Sequence, residues 1–352
     1  MRYLVTVLLA VGCGSVDSKT KPDAAGTDTQ CVPESDTAFC GRIANACESH
    51  SAADNCGAQR TVDCGACGSG MGCVVGTCKV PVCSSLTFSA PAPLTAFART
   101  GVEDSIGGAT PDGRTILYIK TEGTSGCGNY HLVVADEIAP GSGTYTQRDV
   151  YSSFVALGLW NGQDGHGITA DGLTIISKSA DGKKLMSTTR SAINAIDFAA
   201  ASETDFAQIN GQLVGTSGTF FVPTISADGL ELFFTILGAD ATTDGIYSSV
   251  RTSTTVPFPA GTKLPPPVSD YHFATGVSSD RLTLFVLGNS TYANRILSRK
   301  STSQPFINPN APAAPPVLGG WQHKPLADCS KLIAMTSPGG CANEDVVLLT
   351  RQ

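Results

Sequence analysis

Three of the five histidines in the chain, His166, His272 and His323, stand five to eight residues before an aspartate in copies of one recurring segment. The corresponding segments also carry Asp104, Asp164, Asp270 and Trp321. Imidazole and carboxylate groups ligate divalent metals, and they are also the commonest general acids and bases. A fold that gathers these segments would place the seven residues in one ligand-binding pocket, where they could hold a divalent metal. A fold that separates them leaves only polar residues on unconnected loops. The sequence has no Gly-x-Ser-x-Gly elbow, His-Glu-x-x-His helix, phosphate loop or dinucleotide fingerprint, so no catalytic residue and no cofactor is assigned.

The aspartates that follow these histidines belong to a motif that occurs five times. The copies are Gly-Ala-Thr-Pro-Asp-Gly at Asp112, Gly-Ile-Thr-Ala-Asp-Gly at Asp171, Thr-Ile-Ser-Ala-Asp-Gly at Asp228, Gly-Val-Ser-Ser-Asp-Arg at Asp280 and Lys-Pro-Leu-Ala-Asp-Cys at Asp328. Their spacing of 59, 57, 52 and 48 residues suits radially repeated sheets. After each Asp comes a short apolar run, such as Ile116-Leu117-Tyr118-Ile119 or Leu232-Phe233-Phe234, that reads as a strand buried on both faces. A third strand follows a polar loop, as in His131-Leu132-Val133-Val134 and Val346-Val347-Leu348-Leu349, and a looser fourth is marked by Phe and Pro. Asp before Gly is explained by the turn itself, through its tolerance of positive φ and its bonds to turn amides. The repeated aspartates are therefore read as turn formers.

At these turns and strands the sequence resembles the TolB-type β-propeller, the Pro-Asp relative of WD repeats, over roughly residues 84 to 352. The resemblance implies an all-β, five-bladed propeller in which the segments leading into each innermost strand converge on one mouth of the axial channel. Five-bladed glycosidases share this ring and place carboxylates from the first three blades in the channel. Here the third blade offers Phe220-Phe221 instead, which weakens a hydrolytic reading by that route. Blades four and five lose the turn glycine, at Asp280-Arg281 and Asp328-Cys329, which predicts different turns there. Leu86 to Leu94 carries the fourth-strand pattern with no repeat before it, so residues 85 to 96 are expected to pair with 345 to 350 and close the ring.

Thirteen cysteines, nine of them between Cys31 and Cys83, point to an oxidising compartment. Ala10-Val11-Gly12-Cys13 follows a short apolar core and resembles the lipobox of bacterial lipoproteins, which implies a signal peptide over residues 1–12 and lipidation at Cys13. Gly14-Ser15 then points to the outer membrane. Residues 13–30 are too polar to bury a core and read as a tether. Residues 31–83 form a small module that needs disulfides to fold. It reads as a stalk, since a sugar-binding role would fall to Phe39, its sole aromatic residue.

In the propeller, Cys83 and Cys329 fall at the same end of the closing blade, and Cys127 and Cys341 fall in loops of neighbouring blades. The expected bridges are Cys83–Cys329 and Cys127–Cys341, leaving eight cysteines to make four bridges in the module. A net charge of −7 with few clustered Lys and Arg excludes a nucleic-acid surface. The function expected from these features is a lipid-anchored envelope protein that binds or scaffolds a protein or glycan. The alternative is a glycan-active hydrolase or lyase using the His and carboxylate cluster.

Overall fold

The computed structural model describes residues 31–44, 47–68, 71–74, 76–83, 88–94, 96–97, 104–122, 129–160, 162, 165–288, 294–307, 323–326, 329–336 and 345–351. Five antiparallel sheets form a five-bladed β-propeller. Blade one runs outward through Asp104–Ala109, Thr115–Glu122, Asn129–Glu137 and Tyr145–Asp149. Blade two uses Gly167–Ile168, Thr174–Lys178 and Leu185–Thr189, its edge continued by bridges from Ser187 to Ser202 and Arg190 to Phe198. Blade three comprises Thr219–Ile225, Glu231–Leu237, Gly245–Val250 and Thr262–Lys263, and blade four Tyr271–Val277, Thr283–Gly288 and Asn294–Ser298.

Blade five is assembled from both ends of the propeller sequence. His323–Pro325, Lys331–Thr336 and Asp345–Thr350 are joined by Ala92–Pro93, with Val347 opposite Pro93 and Leu348 opposite Ala92. Ser89 N–H donates to Thr350 O (2.7 Å) and Leu94 N–H to Val346 O (3.0 Å), extending the seam beyond the two ladder residues. Cys83 and Cys329 are disulfide-bonded beside it, with Cα atoms 5.3 Å apart. Both expectations for this blade are met. Cys127 and Cys341 lie outside the described residues.

The second strand of each blade is apolar on both faces because blades stack face to face. Ile116, Leu117, Tyr118 and Ile119 are all buried, and Phe233 and Ile246 of blade three pack with Leu284, Val286 and Leu297 of blade four in one cluster.

The repeated aspartates close the turns as expected. In Asp112, Asp171, Asp228 and Asp280, Oδ1 accepts from the hydroxyl two residues earlier and from the amide two residues later. The expectation of altered turns in blades four and five is corrected. Arg281 and Cys329 take φ of 60° and 51°, close to the 73°, 69° and 71° of Gly113, Gly172 and Gly229. Arg281 N–H donates to Ser278 O as Gly113 N–H does to Thr110 O, both at 2.9 Å. In blade four the Asp and Ser bonds hold the turn strongly enough for a side chain to occupy the left-handed region, at a cost of about 1–2 kcal/mol.

A second recurring feature joins blades. Arg190, Arg251 and Arg299 each follow a third strand, and the Nε of each donates to the carbonyl of the positive-φ turn residue in its own blade: Gly172, Gly229 and Arg281. The guanidinium of Arg190 then reaches back into blade one and grips both oxygens of Asp136, at 2.7 Å each. Arg299 does the same from blade four to Glu231 of blade three, at 3.2 and 2.5 Å. Burial opposes ionisation of Asp136, but bonds from Arg190 and Thr115 outweigh it and hold the carboxyl below its usual range.

The Cys-rich module contains a helix, Asp36–Arg42, capped by Ser35, and two hairpins, Ser49–Ala53 with Gln59–Asp63 and Gly72–Val74 with Thr77–Lys79. Four disulfides tie it: Cys31–Cys56, Cys40–Cys64, Cys47–Cys73 and Cys67–Cys78. Cys64 and Cys67 take different partners, as a structural role requires. Phe39 is fully buried in the module core and is not presented to a sugar. The module docks on blade four: Cys73 N–H donates to Lys300 O (2.7 Å), Ser303 Oγ to Glu48 Oε1 (2.9 Å), and Val82 N–H to Asp280 Oδ2 (2.8 Å). Among the described residues no helix is long and apolar enough to cross a membrane.

Candidate functional site

The innermost strands approach so closely that they fill most of the axial channel. Small residues make this possible. A Cβ on Gly108 would stand 2.6 Å from His166 O, and one on Gly276 would overlap His323 O. His166 N–H donates to Gly107 O (2.7 Å), and Thr224 Oγ1 donates to Ala274 O (3.0 Å). Among the described residues, a cavity of about 30 Å³ is lined by residues of all five innermost strands, among them His166, Thr224, Gly276 and Lys324. That is room for about one water molecule.

The structure brings the predicted residues together only in part. His166 and His323 are buried, and His272 is half-buried with its ring 5.8 Å from that of Phe273. Asp104 opens the innermost strand of blade one and Asp270 ends a short 3-10 turn before that of blade four. Asp164 and Trp321, like Cys13, lie outside the described residues. The charged groups that act on His166 are cations: Lys324, which lines the same cavity, and Lys178. Lys178 Nζ lies 4.3 Å from the Trp160 ring centre and 4.0 Å from that of Phe221. The expected His and carboxylate cluster is therefore, among the described residues, a His and Lys cluster walled by aromatic rings. Neither Trp160 nor the two lysines was singled out in the sequence, because an isolated Lys in a strand reads as a solvated edge residue.

These groups are poorly suited to acid–base work. Burial, reinforced by Lys324 and Lys178, pushes the His166 imidazole down to about 3, and burial alone pushes His323 to about 4. His166 Nδ1 lies 3.1 Å from Ser177 Oγ, while Nε2 has no hydrogen-bond partner among the described residues. An imidazole of such low basicity stays neutral near pH 7 and accepts a proton weakly. Burial brings Lys324 to about 7, within reach of a base, yet the cavity beside it excludes a substrate. Among the described residues, the group of potential ligands close enough for a metal is Cys47, Cys67 and Cys78, and all three sulfurs are in disulfides. The three histidines are not gathered into such a group.

The larger opening lies off the axis. Between blades two and three, on the face that carries the Asp turns, a cleft of about 410 Å³ is lined by Asp171, Asp205, Phe206, Asp228, Arg251 and Phe258, among others. Its size suits a small-molecule ligand. Sequence reading missed Arg251. A signal was available, because an Arg recurs 19, 23, 19 and 23 residues after the second to fifth turn aspartates, at Arg190, Arg251, Arg299 and Arg351.

No protein-family description matches the chain, and neither does any curated protein. Solved structures do match. An α-L-arabinofuranosidase from Podospora anserina, determined with cellotriose, is 12% identical, covers 77% of this chain and 98% of its own, and has a TM-score of 0.50. TolB from Acinetobacter baumannii is also 12% identical, with 88% of this chain and 61% of its own covered and a TM-score of 0.37. A thermostable family-43 glycoside hydrolase is 10% identical over 72% of this chain and 92% of its own, at 0.45. At such identities the likeness concerns the fold alone.

Proposed function

We propose that the protein is a lipid-anchored envelope protein, held at the outer membrane through Cys13, whose propeller binds or scaffolds a protein or glycan without transforming it. The observation that carries the binding reading is the closed axis. The cavity that the described innermost strands leave between them holds about 30 Å³, too little for a sugar ring, while the open cleft lies between blades. The glycan-active alternative needs an accessible base at the channel, and His166 and His323 are buried and weakly basic. The anchor is supported by Ala10-Val11-Gly12-Cys13 and by a disulfide-tied module that suits an oxidising compartment.

Two measurements test this reading. Radioactive palmitate should label the protein and fail to label Cys13→Ser, which should leave the membrane fraction; equal membrane retention of the variant would sink the anchor. Purified protein should release no sugar from arabinan, xylan or mannan, and turnover that disappears in His166→Gln would establish the alternative.

A further inference from the structure

Arg251 differs from Arg190 and Arg299 in one respect. Arg190 and Arg299 each close a fork on a carboxylate of the preceding blade. The ladder positions that supply those acids are Thr115 opposite Asp136 in blade one and Glu231 opposite Val250 in blade three. In blade two they are Thr174 opposite Thr189, and neither is acidic.

Arg251 keeps the rest of the arrangement. Its Nε donates to Gly229 O at 2.8 Å, and its guanidinium lies 4.2 Å from the Phe258 ring centre, as that of Arg299 lies 4.4 Å from Phe306. Nη1 makes one long bond, to Val256 O at 3.3 Å, and Asp205 Oδ2 stands off at 3.8 Å. Nη2 has no hydrogen-bond partner among the described residues. The side chain is only 7% exposed and lines the 410 Å³ cleft, at the junction where the carboxylate of the other two is missing. The free donor face of the guanidinium opens onto the cleft, and a planar carboxylate matches its geometry with two parallel bonds.

We infer that the cleft binds a small carboxylate, with the ligand taking the place that Asp136 and Glu231 hold at the other two junctions. The walls narrow the class. Asp171, Asp205 and Asp228 also line the cleft, and they repel a ligand with several negative charges. The same carboxylates accept hydrogen bonds from hydroxyl or ammonium groups. The ligand is therefore a monocarboxylate bearing such donors, of sugar-acid or amino-acid type, and phosphates and polyacids are disfavoured. This deepens the binding reading above and rests on it.

Calorimetric titration of the purified full chain tests the site, with D-glucuronate and L-serine as the two probes and D-glucose as the neutral control, up to about 10 mM, which covers dissociation constants down to the weak millimolar range. Saturable binding of one acid probe and none of glucose is expected, and which acid binds separates the two sources. Arg251→Met should weaken it at least ~10-fold, because a charge-assisted pair of bonds is lost. Asp205→Asn should strengthen it by removing the competing carboxylate. Thr174→Glu, which supplies the acid found at Glu231, should abolish binding and raise the melting temperature, so the site is tested by a variant that gains stability. Silence of the wild type toward both probes, or a Thr174→Glu protein that binds unchanged, overturns the inference. Binding that survives both Arg251→Met and Thr174→Glu sinks this site and leaves the binding function standing elsewhere on the ring.

Discussion

Removing the Cys83–Cys329 bridge should weaken the ring more than any other single covalent change. The seam it guards is thin: the closing strand contributes two ladder residues, and one of them, Pro93, has no N–H to donate. The bond joins residues 246 apart in sequence. In the chain-entropy description, a loop of that length corresponds to about 5.5 kcal/mol of stabilisation at 25 °C, acting on the unfolded chain. With Cys127–Cys341 also formed, the shortest covalent path from Cys83 to Cys329 falls to about 56 residues, and the expected value falls to about 4.2 kcal/mol.

Cys83→Ala with Cys329→Ala is the suitable variant, because both sulfurs are buried and serine would strand hydroxyls. Urea unfolding followed by Trp fluorescence and by circular dichroism gives stability and slope together. The expected result is a loss of about 4–5.5 kcal/mol with a steeper urea dependence, since the unlinked chain exposes more surface when unfolded. A loss below about 1.5 kcal/mol with an unchanged slope would refute the reasoning and show that the non-covalent seam closes the ring by itself.

Three further predictions concern the ring interior. Asp136→Ala should cost about 3–5 kcal/mol because it strands the buried Arg190 guanidinium, whereas joint replacement by Asp136→Leu and Arg190→Met should cost far less; a double-mutant cycle by chemical denaturation measures both. Acid should destabilise the propeller well above the carboxylate range. His166 and His323 titrate at about 3 and 4 when folded and near 6.5 when unfolded, so below pH 6.5 the unfolded chain binds protons the native one refuses. Their contribution is full above pH 6.5 and shrinks by up to ~1.4 kcal/mol per unit and per histidine down to about pH 4, and His166→Gln should remove one such increment from the slope. Lys324, at about 7 when folded, has the same sign between about pH 7 and 10.5, where stability should rise with pH. Gly276→Ala should force apart the innermost strands of blades four and five and cost ~1–3 kcal/mol in thermal denaturation, with an unchanged melting curve contradicting the close approach.

Much of the fold was legible because repetition supplies its own controls. Five copies of one turn locate the strands around them, and a fourth-strand pattern with no blade of its own, Leu86 to Leu94, had one place to go. The Cys83–Cys329 bridge between residues far apart in sequence then followed from their shared end of the closing blade. The turns at Arg281 and Cys329 were misjudged because a missing glycine was given too much weight; at Arg281 the bonds of Ser278 and Asp280 hold the turn. The site was read less well. Histidines near a channel suggest catalysis, but burial depends on how closely neighbouring backbones approach, and that rests on Gly107, Gly108 and Gly276, whose significance is invisible without their neighbours. Arg251 was overlooked for a related reason: its interest lies in the acid that blade two lacks, and an absence shows only once the copies are superposed.

The docking of the module on blade four bears on how the protein carries load. Tension applied to the N-terminal side of the module would pass through segments tied by four disulfides and reach Cys83 before Ala92–Pro93. There it divides, covalently into the blade-five turn at Cys329, and through Val82 and Cys73 into Asp280 and Lys300 of blade four. The closing strand lies after that fork in the chain. A ring whose ends meet in two ladder residues could peel open from its free strand, whereas here the segment before that strand is fastened to two adjacent blades at once.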